Sequence, residues 1–521
     1  MSRYISTPIY YVNDRPHIGH AYTTTVCDVY ARFMRFMGEE VFFLTGTDEH
    51  GIKVEKSAAE KGISPQVLAD RNAAEFERIL GMFGLSNDDF IRTTQLRHTE
   101  QVKQIVAQLL AQDDVYLAEY EGWYDEGQEE FVPQSRAEDQ QFKSVVSGKP
   151  LVRMKEANYF FRLSGYQDRL SAWYESHPDF VRPEARRNEM LGRLREGLAD
   201  IPVSRTSFSW GIPVPGDEAH VLWVWLDALS NYITALGVID AEVAGVDRSH
   251  FWPATFHVIG KEILFFHALF WPAVLMALKL PLPECVYAHS FWISHGQKMS
   301  KSLGNFIDLE VIQGYLDVYS LDAWRYYMVT QGPLSAQDAD FSADHFRDIY
   351  NAHLVNTLGN CASRTTAMIG KYFDGALPGE CGAAGERIVI EGWDWPVKVK
   401  EYVQAALASF ESLDLAAGVG QALQMIRDVD VFINATEPFK IAKDASKRTE
   451  LGAILYQCAE VVRIASCLLW AVMPSKVEEL WKALGQDVDT RAGGLQELVA
   501  WGGLVRGDRI EKVALFPRVE G

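Results

Sequence analysis

The chain has 521 residues, 48% of them hydrophobic, so it is too long for one core and should divide into about three folded units. Its 50 Lys+Arg against 70 Asp+Glu give a formal net charge of −20, which by itself argues against a nucleic-acid partner unless the cations gather on one face. Six cysteines (Cys27, Cys285, Cys361, Cys381, Cys458 and Cys467), far apart and without a C-x-x-C pair, exclude a disulfide framework and a thiolate zinc site, and read as reduced thiols of a cytoplasmic protein.

In chain order, residues 1–6 lack the basic flank and apolar core of a signal peptide and run into a strand predicted over 3–11. A helix over 21–37, closed by Gly38, and a strand over 41–45 complete a βαβ unit, whose ligands sit at the carboxyl ends of the strands. The pattern breaks near Asp113. Residues 115–219, with aromatic clusters (Tyr116, Tyr120, Trp123, Tyr124; Tyr159, Phe160, Phe161) and no long helical period, read as an insertion with its own small core. Strands over 255–259 and 285–291 then complete the sheet. Between them the densest apolar stretch, 262–282, contains His267, Lys279 and two prolines, so it reads as a buried helix and not a membrane span. After Ser302 the chain turns helical, with long amphipathic stretches from about 341 to 473 and an extended tail at 513–519 that returns to the body. The fold class is therefore α/β, a doubly wound parallel Rossmann-type sheet with an inserted domain, followed by an all-α helical bundle.

Two short motifs carry chemistry. His17-Ile18-Gly19-His20 lies between the first strand and the helix, where imidazoles and free backbone N–H groups can hold nucleotide phosphates while Gly19 admits the base closely. Lys298-Met299-Ser300-Lys301-Ser302 follows Gly296, offering two ammonium groups on a small-residue loop that can close on a triphosphate. Taken singly, the first is also compatible with a turn bearing surface histidines, and the second with a solvated charge run.

Together, in this order, the two resemble letter for letter the signatures of the class I aminoacyl-tRNA synthetases. The wider resemblance, over nearly the whole length, is to the methionine family of that class, through residues 7–13, 45–51, 223–228 and 257–263. It implies a catalytic domain over 1–114 and 220–291, a connective insertion over 115–219, a signature-loop and stem-contact region over 292–354, and an anticodon-binding bundle with its tail over 355–521. The implied activity is ATP-dependent formation of methionyl-adenylate, with Mg2+ carried by ATP, and transfer of the methionyl group to the 3′ end of initiator and elongator tRNA(Met).

The resemblance assigns catalysis to His17, His20, Lys298 and Lys301, and ATP contacts to these four with Gly19 and Ser300. It assigns the methionine pocket to Ile9, Tyr11, Asp48, Trp225, Ala228, Leu229, Tyr232, Ile263 and His267, where Asp48 meets the substrate ammonium and the aromatic walls suit a soft thioether. Arg205, Lys261 and Glu262 match polar residues around the intermediate. Asn360 and Arg364, four apart and on one helix face, match the pair that reads a CAU anticodon.

The sequence departs from the family pattern in three places. Phe439 stands where many members stack a tryptophan on an anticodon base. Residues 115–219 contain no cysteine, so the family's zinc knuckle is excluded and no structural zinc is expected. The chain stops at Gly521 without the dimerising domain of some relatives, so a monomer is expected. Three rivals are a small-molecule nucleotidyltransferase, a synthetase for another aliphatic amino acid, and an inactive RNA-binding paralogue. The helical bundle, the short insertion and the intact signatures disfavour them in turn.

Overall fold

Alternation along the first strands decides which layers cover the sheet. In β1 (Ser2–Ser6), Tyr4 enters one apolar layer and Ile5 the opposite one. After β2 (Tyr10–Tyr11) and α1 (Ile18–Phe36), β3 (Glu40–Asp48) repeats the pattern, with Phe42 and Leu44 on the side of Tyr4 and Val41 and Phe43 on that of Ile5. The computed structural model describes residues 2–12, 16–125, 130–132, 134–145, 147–299, 305–379, 389–390 and 392–519.

The remaining strands of this sheet are β4 (Asp89–Arg92), β5 (Val181–Arg182), β6 (Phe256–Gly260) and β7 (Val286–His289). All pairs are parallel, in the order β4-β3-β1-β6-β7-β5, with β2 continuing beside β3 where β1 ends. From β1 the chain builds outwards to β3 and β4, then crosses to build β6 and β7 on the other side. That reversal between β1 and β6 is the crevice where open α/β sheets bind ligands. The strand expected over 3–11 is interrupted at Thr7–Ile9, because Pro8 has no N–H to give to the ladder. The helix expected from 21 begins three residues earlier, at Ile18, because His17 caps it.

Residues 115–219 do not form one unit with its own core. Val115–Asp125 and Val152–Phe161 make an antiparallel ladder flanked by Glu130–Val132 and Ile201–Pro202, with a small cluster of Val132, Ala137 and Leu151 beside it. In the same segment, however, Val181 pairs with Val286 as the edge of the main sheet. Helices Gln167–Ser176 and Glu184–Glu196 bury Leu170, Tyr174, Met190 and Leu194 in the layer that holds Tyr4. A two-residue strand carries no readable alternation, which is why the sequence does not reveal this return.

α2 (Val224–Thr234) covers the Tyr4 layer, and the bundle covers the other. The bundle helices include α3 (Asn360–Phe373), α4 (Trp395–Glu411), α5 (Leu415–Thr436) and α6 (Arg448–Leu469). α3 continues a π-helical stretch at Tyr350–Gly359. The bundle packs directly on α1: Phe33 stacks on Phe410 at 4.3 Å and Phe36 meets Trp470 at 5.1 Å. Fully buried Asp28 of α1 pairs with Arg325 at 2.7 Å, and Arg325 also donates to the carbonyls of Ala471 (2.9 Å) and Val472 (3.0 Å). Burial opposes the charge on Asp28, yet Arg325 and Arg32 hold its carboxyl below the usual range. Ala445–Leu469 is the one run among the described residues long and apolar enough to cross a membrane, and its apolar part, Leu451 to Leu469, is buried in the bundle. The tail buries Val513, Leu515 and Phe516, and Tyr350 donates to the carbonyl of Pro517 at 2.7 Å.

Candidate active site

The two signature histidines cap α1 with their own rings. His17 Nδ1 accepts from the backbone N–H of Gly19 (3.0 Å), while His20 Nδ1 accepts from that of His17 (3.2 Å), a reciprocal capping box. An imidazole accepting at Nδ1 carries its one proton on Nε2, so each ring is set as a neutral donor. Burial, and then neighbouring His17, holds His20 well below the ordinary histidine range. A side chain on Gly19 would meet the His17 ring at 2.9 Å, so glycine keeps the box intact. The helix start is tied to the segment after the second signature, since Ile18 N–H donates to the Ile307 carbonyl (3.0 Å) and Phe306 meets His17 edge-on at 5.4 Å.

These histidines open onto a cavity of about 780 Å³ at the carboxyl ends of β1, β3 and β6. Ile9, Tyr11, Asp48, Trp225, Ala228, Leu229, Tyr232, Ile263 and His267 all line it, as do Gly19, Glu262 and Lys298. Asp48 is the last residue of β3 and is buried there. Trp225 stacks on Phe266 at 4.0 Å and stands edge-on to His267 at 6.2 Å. His267 sits on a single π turn, Phe266–Phe270, donates from Nδ1 to the Ile263 carbonyl (3.0 Å), and so accepts at Nε2 from the Tyr232 hydroxyl (2.8 Å). Burial lowers His267 to about 4, leaving this wall uncharged at neutral pH. Solvent reaches Glu262 through the cavity, but protein surrounds its carboxyl closely enough for burial to push it above the usual range despite nearby Lys298.

Two expected residues are not brought to the cavity. Arg205 is buried in the strand Ser204–Arg205, with its guanidinium 5.5 Å from the rings of both Tyr124 and Trp223. Lys261 turns away to pair with Asp338 at 2.6 Å over the ring of Phe291. Ser300 and Lys301 lie outside the described residues. Lys298 stands on a strand, not in a loop: Gln297–Lys298 pairs with Trp292–Ser294 through a turn in which His295 and Gly296 both have positive φ (53° and 70°).

Sequence reasoning missed what holds the pocket wall. Asp227 of α2 is fully buried and accepts from His50 Nδ1 (2.7 Å), two residues past Asp48, and from His98 Nε2 (2.8 Å). Burial would raise its carboxyl, but the two imidazoles hold it at about 2. This link fixes α2, which carries Trp225, Ala228, Leu229 and Tyr232, against the end of β3. His50 and Asp227 both fall in the segments that carry the family resemblance, which was the available signal. Tyr10, Lys53 and His289 also line the cavity and were not singled out.

In the bundle, Asn360 is exposed and borders a smaller cavity of about 400 Å³ between the helix and the tail, lined also by Ser363, Leu515 and Phe516. Arg364 pairs with Asp430 of α5 (2.9 Å) and reaches Asn434 (3.4 Å). Phe439, in the short helix Pro438–Ile441, is 45% exposed, which is enough to present a ring face to solvent.

The family model described as "tRNA synthetases class I (M)" matches residues 3–141 and 136–366. The methionine–tRNA ligase of Halalkalibacterium halodurans is 41% identical over 99% of this chain and 78% of its own length, and that of Rickettsia felis is 40% identical over 99% and 98%. A solved Mycobacterium tuberculosis methionyl-tRNA synthetase in complex with methionyl-adenylate superposes with a TM-score of 0.88 at 36% identity, covering 99% of this chain and all of that one. Matched from end to end by these enzymes, the chain belongs to the methionine–tRNA ligases, a family of class I tRNA synthetases.

Proposed function

We propose that this chain activates L-methionine with ATP to methionyl-adenylate, releasing pyrophosphate, and then transfers the methionyl group to the 3′ end of tRNA(Met). The observation that carries the reading is one cavity at the switch point that joins a neutral aromatic pocket, a buried carboxylate, two capped histidines and a lysine.

The methionine thioether would lie between Trp225, Tyr232 and His267, whose uncharged ring lets the site prefer a soft apolar side chain to a charged one. Asp48 would receive the ammonium group, with the carboxylate left to attack the α-phosphorus in line as pyrophosphate departs. His17 and His20 would donate from Nε2 to the phosphates, acting as neutral donors and not as cations. Lys298, with Lys301, would neutralise the charge that develops on the leaving pyrophosphate, and ATP brings its Mg2+ with it. Catalysis is then positioning and charge stabilisation, without a protein nucleophile.

Asn360 and Arg364 would read the CAU anticodon of initiator and elongator tRNA alike, and Phe439 would offer a stacking face without an indole N–H. Two further parts of the reading are work in the bacterial cytoplasm, supported by the bacterial relatives, and no structural zinc, supported by the lack of cysteine in 115–219. The test is charging of tRNA transcripts with labelled methionine. Those with CAU should be charged far faster than the same transcripts with an altered anticodon, and equal charging of both would refute the anticodon assignment.

A further inference from the structure

An arginine in a chain with 20 surplus acidic charges has ample choice of partners, and Arg427 of α5 has taken no acidic one among the described residues. It is half-buried, its only hydrogen bond among the described residues is a long one to Gln424 Oε1 (3.4 Å), and it makes no ion pair there. Holding a guanidinium partly out of water without a counter-charge costs free energy, which an external anion would recover.

Its position says which anion. Arg427, Asp430 and Asn434 lie at i, i+3 and i+7, on one face of α5, and the latter two hold Arg364. Arg427 is therefore about 5–10 Å along the same helix face from the level of the anticodon-side arginine. Near it stands His353, which hydrogen-bonds the Tyr326 hydroxyl at 2.8 Å. Burial, and then the nearby Arg427 guanidinium, keeps His353 below the ordinary range, so it adds no second cation.

We propose that Arg427 binds a backbone phosphate of the tRNA whose anticodon loop reaches Asn360 and Arg364. The inference rests on the tRNA reading above. Such a contact positions the RNA without reading its sequence, and it supplies one cation of the track that a net-acidic RNA-binding chain requires.

The test compares the wild type, Arg427→Gln and Arg427→Lys by tRNA binding over about 50 to 200 mM salt. In Arg427→Gln the slope of log K against log salt should become shallower by roughly 0.7–0.9, the loss of one phosphate contact. Binding should weaken by the same factor for CAU and anticodon-altered transcripts, and Arg427→Lys should keep the wild-type slope. Methionine-dependent ATP–pyrophosphate exchange should be the same in all three, which also shows that each variant is folded. An unchanged slope in Arg427→Gln, with normal exchange and salt-sensitive wild-type binding, overturns the proposal alone. Wild-type protein without measurable tRNA affinity overturns both it and the reading beneath it.

Discussion

Replacing Asp227 by asparagine removes the one buried charge that joins α2 to the end of β3. Asp227 sits at about 2 against an ordinary 3.8, a difference that corresponds to about 2 kcal/mol of native-state stabilisation. Asparagine would also place an amide N–H2 where His50 and His98 both donate, so one of two buried donors loses its acceptor. The combined cost should be on the order of 2–4 kcal/mol, felt locally. Hydrogen exchange of the α2 amides reads that opening directly, and at neutral pH the variant should exchange at least ~30-fold faster than the wild type. Because the folded-state value lies below the unfolded one, the contribution is complete above about pH 4 and is lost as the pH falls through 2, so the variant-to-wild-type ratio should shrink in acid. The KM for methionine should rise, since Trp225 and Tyr232 ride on α2. Equal exchange at neutral pH, or a ratio independent of pH down to 2, would refute the assigned role of this carboxylate.

Three further outcomes follow from the same geometry. His20→Ala should slow adenylate formation with little change in tRNA affinity, and Arg364→Ala should do the reverse; loss of tRNA binding in the histidine variant would contradict that division. His267, lowered to about 4, is neutral throughout the working range, so the methionine KM should stay level between about pH 6 and 9, whereas a titration near the ordinary histidine value of about 6.5 would show a charged ring in the pocket. Treatment with a zinc chelator, followed by restoration of Mg2+, should leave the melting temperature unchanged; a fall would reveal a structural metal.

The parts legible in sequence are those whose residues are neighbours along the chain. The His17–His20 box closes within one helical turn and shows in four letters, and the βαβ unit around it shows in the periodicity of α1 and the apolar run of β3. What was not legible depends on distant partners or on elements too short to carry a pattern. Val181–Arg182 extends the main sheet with two residues, and the π turns at Phe266–Phe270 and Tyr350–Gly359 leave no distinct period. Asp227 and His98 are 129 residues apart and meet only in the folded chain. The family resemblance placed Lys261 beside the intermediate, but Asp338, 77 residues on, holds it elsewhere. Arg205 was misplaced for a similar reason, since Trp223 and Tyr124 enclose it.

ATP–pyrophosphate exchange, run separately with each standard amino acid, tests most directly whether the switch-point cavity is a methionine-activating site. Exchange should depend on methionine and fall sharply in Trp225→Ala; exchange supported by leucine or cysteine but not by methionine would contradict the assignment.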